Sequence, residues 1–103
     1  MNEELEYILD TAKHLVTRDR ADQHGNAMVQ FGTIADLWNV YLHGRFGSDT
    51  GVLRNYDVAQ MMVLMKISRD IHGEYHQDTF IDQCGYSALA GMLRGVEHEN
   101  QQD

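Results

Sequence analysis

Asp78 and Asp82 lie four residues apart in the segment HQDTFIDQCGY, residues 76–86. The apolar residues of this segment recur at helical spacing, so both carboxylates project from one face. Like charges at that spacing cost a helix roughly a few tenths of a kcal/mol. A divalent cation held between them would offset the repulsion, and Mg²⁺ or Mn²⁺ takes carboxylate oxygens. On that reading Asp82→Asn leaves the metal-free chain as stable as before, or slightly more so. The plainer reading has both aspartates facing water. Asp57 adds a third carboxylate in the first turn of the preceding helix, where its default role is capping and a metal role is the alternative.

The other chemical candidates are cations and aromatics. Lys66 and Arg69 stand near the turn before Asp78 and could neutralise a phosphate chain there, while Lys66 and Asp70 make an ordinary i,i+4 pair. Arg18, Arg20, His24 and Gly25 sit in a polar link, residues 17–26. An arginine pair beside a glycine grips phosphate through bidentate bonds, although Asp19 and Asp22 equally make this a self-compensated surface. Trp38 and Tyr41 could stack on a base, but aromatics at helical spacing more often pack in a core. His72 and His76 flank the turn without a zinc-binding spacing. There is no GxxxxGK[ST], GxGxxG or GxSxG motif. Cys84 falls on an apolar stripe and reads as a packing residue.

The elements that must position these groups are helices. Apolar residues at helical offsets mark helices over 3–17, 27–43, 57–72 and 78–94, and no segment alternates with the period of a strand. The chain has no proline to interrupt a helix. Glycines punctuate it instead: 44–51 is turn-rich, and Gly73 suits the position just past a helix end. Gly85 and Gly91 weaken a helix interior, which suggests close approach to a neighbouring helix or ligand. The expectation is a single all-α domain over 1–95, a four-helix bundle, with a frayed polar tail over 96–103. Met28, Phe31, Ile34, Trp38, Val58, Met61, Met65, Phe80, Ile81, Cys84 and Ala88 are expected to be largely buried. The short link between the last two helices makes them antiparallel neighbours. Asp57 and Asp78 then stand at opposite ends, and one site holding both would need a second subunit related by two-fold symmetry.

Four blocks of sequence in order carry a resemblance: RDRxxxHG, QFxxIAxLWxxYL, DVAQMMVLMKISR and HQDTFIDQCGY. Together they resemble a small phage and prophage domain of uncharacterised function related to the MazG-like all-α nucleoside triphosphate pyrophosphatases. The resemblance spans residues 15 to about 90. It implies a MazG-like bundle in which acidic residues on two helices bind Mg²⁺, which holds a nucleotide's phosphates while water attacks. Asp78 and Asp82 match the acidic pair of the later helix, and Asp57 matches an acidic position opening the preceding one. The ExxE pair usual in such enzymes is absent, since Asp57 is followed by Gln60 and Met61. Taken with the residue types and their spacing, the expected assignment is catalysis by Asp78, Asp82 and Lys66, metal binding by Asp57, Asp78 and Asp82, and nucleotide binding by Arg18, His24, Trp38 and Arg69, of which the resemblance itself implies only the three aspartates.

Charge and composition bound the partners. A net charge of −8 over 103 residues disfavours duplex nucleic acid and anionic membranes. It suits a metal site, and equally a non-catalytic acidic protein that binds a basic host protein. A nucleotide sensor that binds without hydrolysis is a third expectation. No apolar run is long enough for a membrane span and the acidic N-terminus is unlike a signal peptide. With a single cysteine, the expected place is a reducing cytoplasm, that of a bacterial host if the chain is phage-encoded. Many Met, Leu and aromatic residues on short helices point to self-association as a homodimer or higher homo-oligomer.

Overall fold

The computed structural model describes residues 1–19 and 26–101, the side chain of Asp19 excepted. Among these residues the fold is all-α, with four α-helices and no strand. Helix α1 spans Asn2–His14. Glu3 and Glu4 in its first turn and Lys13 and His14 in its last both complement the helix dipole. It widens into a π turn at Leu15–Asp19, where the Thr17 hydroxyl donates to the Lys13 carbonyl at 2.6 Å. Helix α2 spans Ala27–Phe46 and is capped by Asn26, whose side chain accepts from the Met28 N–H at 2.8 Å. Gly47 (φ 96°) and Gly51 (φ 84°) bracket the short 3₁₀ turn Ser48–Thr50, both in the region that favours glycine. Helices α3, Asn55–His72, and α4, Gln77–Gln101, complete the chain.

The boundaries differ from the sequence expectation mainly in α4. This helix runs straight through Gly85, Gly91 and Gly95 to Gln101, so the stretch read as a frayed tail is helical up to that point. Gly73 ends α3 for a different reason than a left-handed cap. Its backbone is extended (φ −127°), but a Cβ there would lie 2.9 Å from the Arg69 carbonyl oxygen. A side chain is excluded by that close approach.

Packing centres on the antiparallel α3–α4 hairpin, with α2 laid against α3 and α1 against α4. Val58 and Ala59 of α3 and Ile81 and Leu93 of α4 are the most deeply buried residues, joined by Leu89, Ala90, Ala35 and Ala12. The α2–α3 link is fixed by Asn39, whose amide pairs with the backbone of Leu53 in both directions at 3.0 and 2.8 Å. The α3–α4 link is tied to α1 by Tyr75, which donates to Glu4 at 3.1 Å and lies against Phe80 with ring centroids 6.0 Å apart.

The core is smaller than the apolar stripes suggested. Val58 and Ile81 are buried as expected, but Phe31, Ile34, Trp38, Phe80 and Cys84 are half-buried. Met28, Met61, Met65 and Ala88 are exposed. Met28 lies on α2, whose main neighbour is α3 alone, and Met61, Met65 and Ala88 lie on parts of the α3 and α4 surfaces that no other helix covers. The radius of gyration, 15.5 Å, exceeds the ~13 Å of a compact domain of about 100 residues.

Two α4 glycines should respond oppositely to substitution. At Gly85 a Cβ would lie 3.1 Å from Val16 Cγ1, whereas at Gly91 nothing comes within 4 Å. Gly85→Leu should destabilise by about 1–3 kcal/mol through overpacking. Gly91→Ala should stabilise by about 0.5–1 kcal/mol. Urea unfolding of both variants checks the pair, and a loss at Gly91→Ala would mean that this face is crowded.

Candidate functional site

Two clusters of chemistry lie at opposite ends of the α3–α4 hairpin. At the turn end, Lys66 Nζ sits 2.9 Å from Asp82 Oδ2, with side chains 14% and 19% exposed. The sequence-local partner Asp70 thus gives way to a cross-helix partner, because antiparallel packing brings the middle of α3 opposite the first turns of α4. Asp78 lies one helical turn before Asp82 in the first turn of α4 and is exposed. Arg69, three residues beyond Lys66, is also exposed.

The ion pair reverses one expectation. Asp82 does not simply repel Asp78; its charge is matched by a half-buried ammonium. Asp82→Asn should therefore cost the metal-free protein stability, not leave it unchanged. The cost falls at about 1–2 kcal/mol, between the ranges of exposed and buried pairs.

At the other end, Asp57 acts as a cap. Its Oδ2 accepts from the Arg54 backbone N–H at 2.8 Å, which is the carboxylate half of a capping box. Beside it opens a cleft of about 520 Å³ between the start of α3 and the last turns of α4. Tyr56, Gln60, Arg94 and His98 line it, with Gly91 and Gly95 on its α4 wall. The Arg94 guanidinium lies 5.6 Å from the Tyr56 ring centroid. Burial, and then the neighbouring Glu97 and Asp57 carboxylates, push the Tyr56 phenol above its ordinary range.

The candidate residues are thus only partly brought together. Lys66, Asp78 and Asp82 share the turn end, with Arg69 on the adjoining part of α3. Asp57 is at the far end of the hairpin. Among the described residues no group of three or more His, Cys, Asp or Glu side chains is placed to hold a metal ion, so Asp57, Asp78 and Asp82 form no common site within one chain. Trp38 is half-buried on α2, Tyr41 is exposed, and Arg18 is exposed in the π turn after α1. His24 lies outside the described residues. Tyr56, Arg94 and His98 were not singled out by sequence. Arg94 and His98 stand four apart, a same-face spacing, but in a stretch whose glycines mark the end of a helix by pattern.

The comparisons with known proteins fit the same span of chain. A family described as a domain of unknown function, DUF6378, matches residues 7–94. The chain belongs to this family. It is 37% identical over 93 residues to the Gene 55 protein of Mycobacterium phage L5, covering 89% of this chain and 55% of that protein. To the Gene 55 protein of Mycobacterium phage D29 it is 35% identical over 94 residues, 91% of this chain and 56% of that one. The chain therefore spans about half the length of these curated relatives. No solved structure matches it. No helix among the described residues of this DUF6378 chain is long and apolar enough to cross a membrane.

The capping role of Asp57 makes a prediction that a metal role would not. Asp57→Ala should destabilise by about 0.5–2 kcal/mol, and the loss should be the same with and without millimolar Mg²⁺. A loss that appears only when metal is present would return Asp57 to a ligand set.

Proposed function

We propose that the turn end of the α3–α4 hairpin is a phosphate-binding site, and that the chain is a phage-type nucleotide pyrophosphohydrolase-like protein. One observation supports this most: a half-buried Lys66–Asp82 pair at 2.9 Å with Asp78 a turn away on the solvent side. Two carboxylates suffice for Mg²⁺, which keeps waters and takes further oxygens from substrate phosphates. Asp78 and Asp82 would hold it. When bound, it would screen phosphate charge and favour attack by water.

The chain's own residues do the rest. Lys66 is preordered by Asp82 and can turn its ammonium to a phosphate oxygen as the carboxylate is taken up elsewhere. Arg69, exposed three residues on, adds a second cation for the chain of phosphates. Arg18, His24 and Trp38 remain the candidates for the rest of the nucleotide, Trp38 by stacking on a base. The phage origin of the named relatives fits a role in the cytoplasm of a bacterial host.

A second reading, an acidic protein that binds a host protein without catalysis, draws on the net charge of −8 and on the large exposed apolar side chains. A nucleotide sensor would use the turn end without hydrolysis. One experiment separates the three. A panel of nucleoside triphosphates with millimolar Mg²⁺ or Mn²⁺ should raise the melting temperature by mass action and release pyrophosphate. Asp82→Asn should abolish both effects while costing metal-free stability. Stabilisation without release would leave the sensor, and neither effect on any nucleotide would remove the site.

A further inference from the structure

Helix α2 has two apolar faces. Phe31, Ala35, Trp38 and Leu42 recur on one, and Ala35 is buried with the others half-buried against the rest of the chain. The opposite face carries Val29, Thr33, Leu37, Val40 and Gly44, at spacings of four, four, three and four residues, and every one is exposed. A helix apolar all round belongs inside an assembly with neighbours on both sides. Here α2 has its main neighbour, α3, on one side only.

The outer stripe is complementary to itself. Laid antiparallel across a two-fold axis near residues 36 and 37, Val29 meets Gly44 of a second copy and Thr33 meets Val40, while Leu37 sits beside the axis against the exposed Asp36 of the second copy. Val29 opposes the missing side chain of Gly44 and Thr33 opposes the near-isosteric Val40, and the pairing is reciprocal, as an isologous interface requires. Among the described residues no atom lies within 4 Å of a Cβ built at Gly44, so this position leaves an open notch on the outer face that a Val29 side chain from a second copy would fill.

The area is also of the right order. Val29 is 66% exposed, Leu37 63%, Val40 74% and the flanking Tyr41 66%. These four offer on the order of 500 Å² per copy, over half of the ~800 Å² per partner in a standard interface.

We infer that the outer face of α2 is the two-fold interface with a second copy of this chain. The inference is independent of the phosphate site, which stands at another place on the hairpin. Sedimentation at about tens of micromolar protein should give a dimer. Leu37→Lys should give a monomer whose circular dichroism remains helical. A Val29→Cys and Gly44→Cys chain, in a Cys84→Ala background, should be covalently dimerised by mild oxidation. The two positions are fifteen residues, about 22 Å, apart on one helix and cannot bridge within a chain. A monomeric wild type overturns the inference, as does a trimer or open assembly. A dimer that survives Leu37→Lys, or that fails to cross-link, overturns the assignment to this face.

Discussion

Everything else in this fold hangs on how closely α3 packs against α4. Val58 and Ala59 on α3 have no exposed surface, and Ile81 and Leu93 on α4 are 2% and 1% exposed. Small residues set the separation: Ala59 on one helix and Ala90 on the other leave room for the larger side chains to interdigitate. Gly85 does the same for the contact between α4 and the π turn after α1, where Val16 would touch any added carbon. This packing fixes the antiparallel register. The register brings Lys66 opposite Asp82, sends Asp57 to the far end and opens the cleft lined by Tyr56 and Arg94.

Much of this was legible in the sequence. Helical spacing located all four helices, and the absence of proline agreed with their continuity. The start of α2 at Ala27 and the end of α3 at His72 before Gly73 were legible, whereas α2 runs three residues past its expected end at 43, to Phe46. The continuation of α4 past Gly95 to Gln101 is another such case, since the expected helix already ran through Gly85 and Gly91 but stopped at 94. The burial of Met61 and Met65 was also misjudged. Periodicity shows that a face is apolar, but not whether the same chain covers it.

Of the candidate site, spacing singled out Asp78 and Asp82 but treated them as a repulsive pair, because nothing local reveals that Lys66 bonds across helices to Asp82. Asp57 followed its default as a helix cap, and hairpin geometry foretold its separation from Asp78. The cleft beside Tyr56 needed the extension of α4 past Gly95 only for His98. The chain belongs to DUF6378 and spans about half the length of the phage Gene 55 proteins it resembles. Its uncovered apolar faces agree with a unit that meets other surfaces, as the outer stripe of α2 does in the interface inferred for it.

Lys66 gives the most direct test of the phosphate site, because it competes with a metal ion for Asp82 and cooperates with it on a phosphate. Mn²⁺ binding to wild type and Lys66→Met can be followed by electron paramagnetic resonance, with and without a nucleoside triphosphate. Without nucleotide, Lys66→Met should bind Mn²⁺ severalfold more tightly than wild type. With nucleotide, the order should reverse, since the phosphate has lost its cation. Equal binding by the two proteins in both conditions, or none, would contradict a phosphate and metal role for this end of the hairpin.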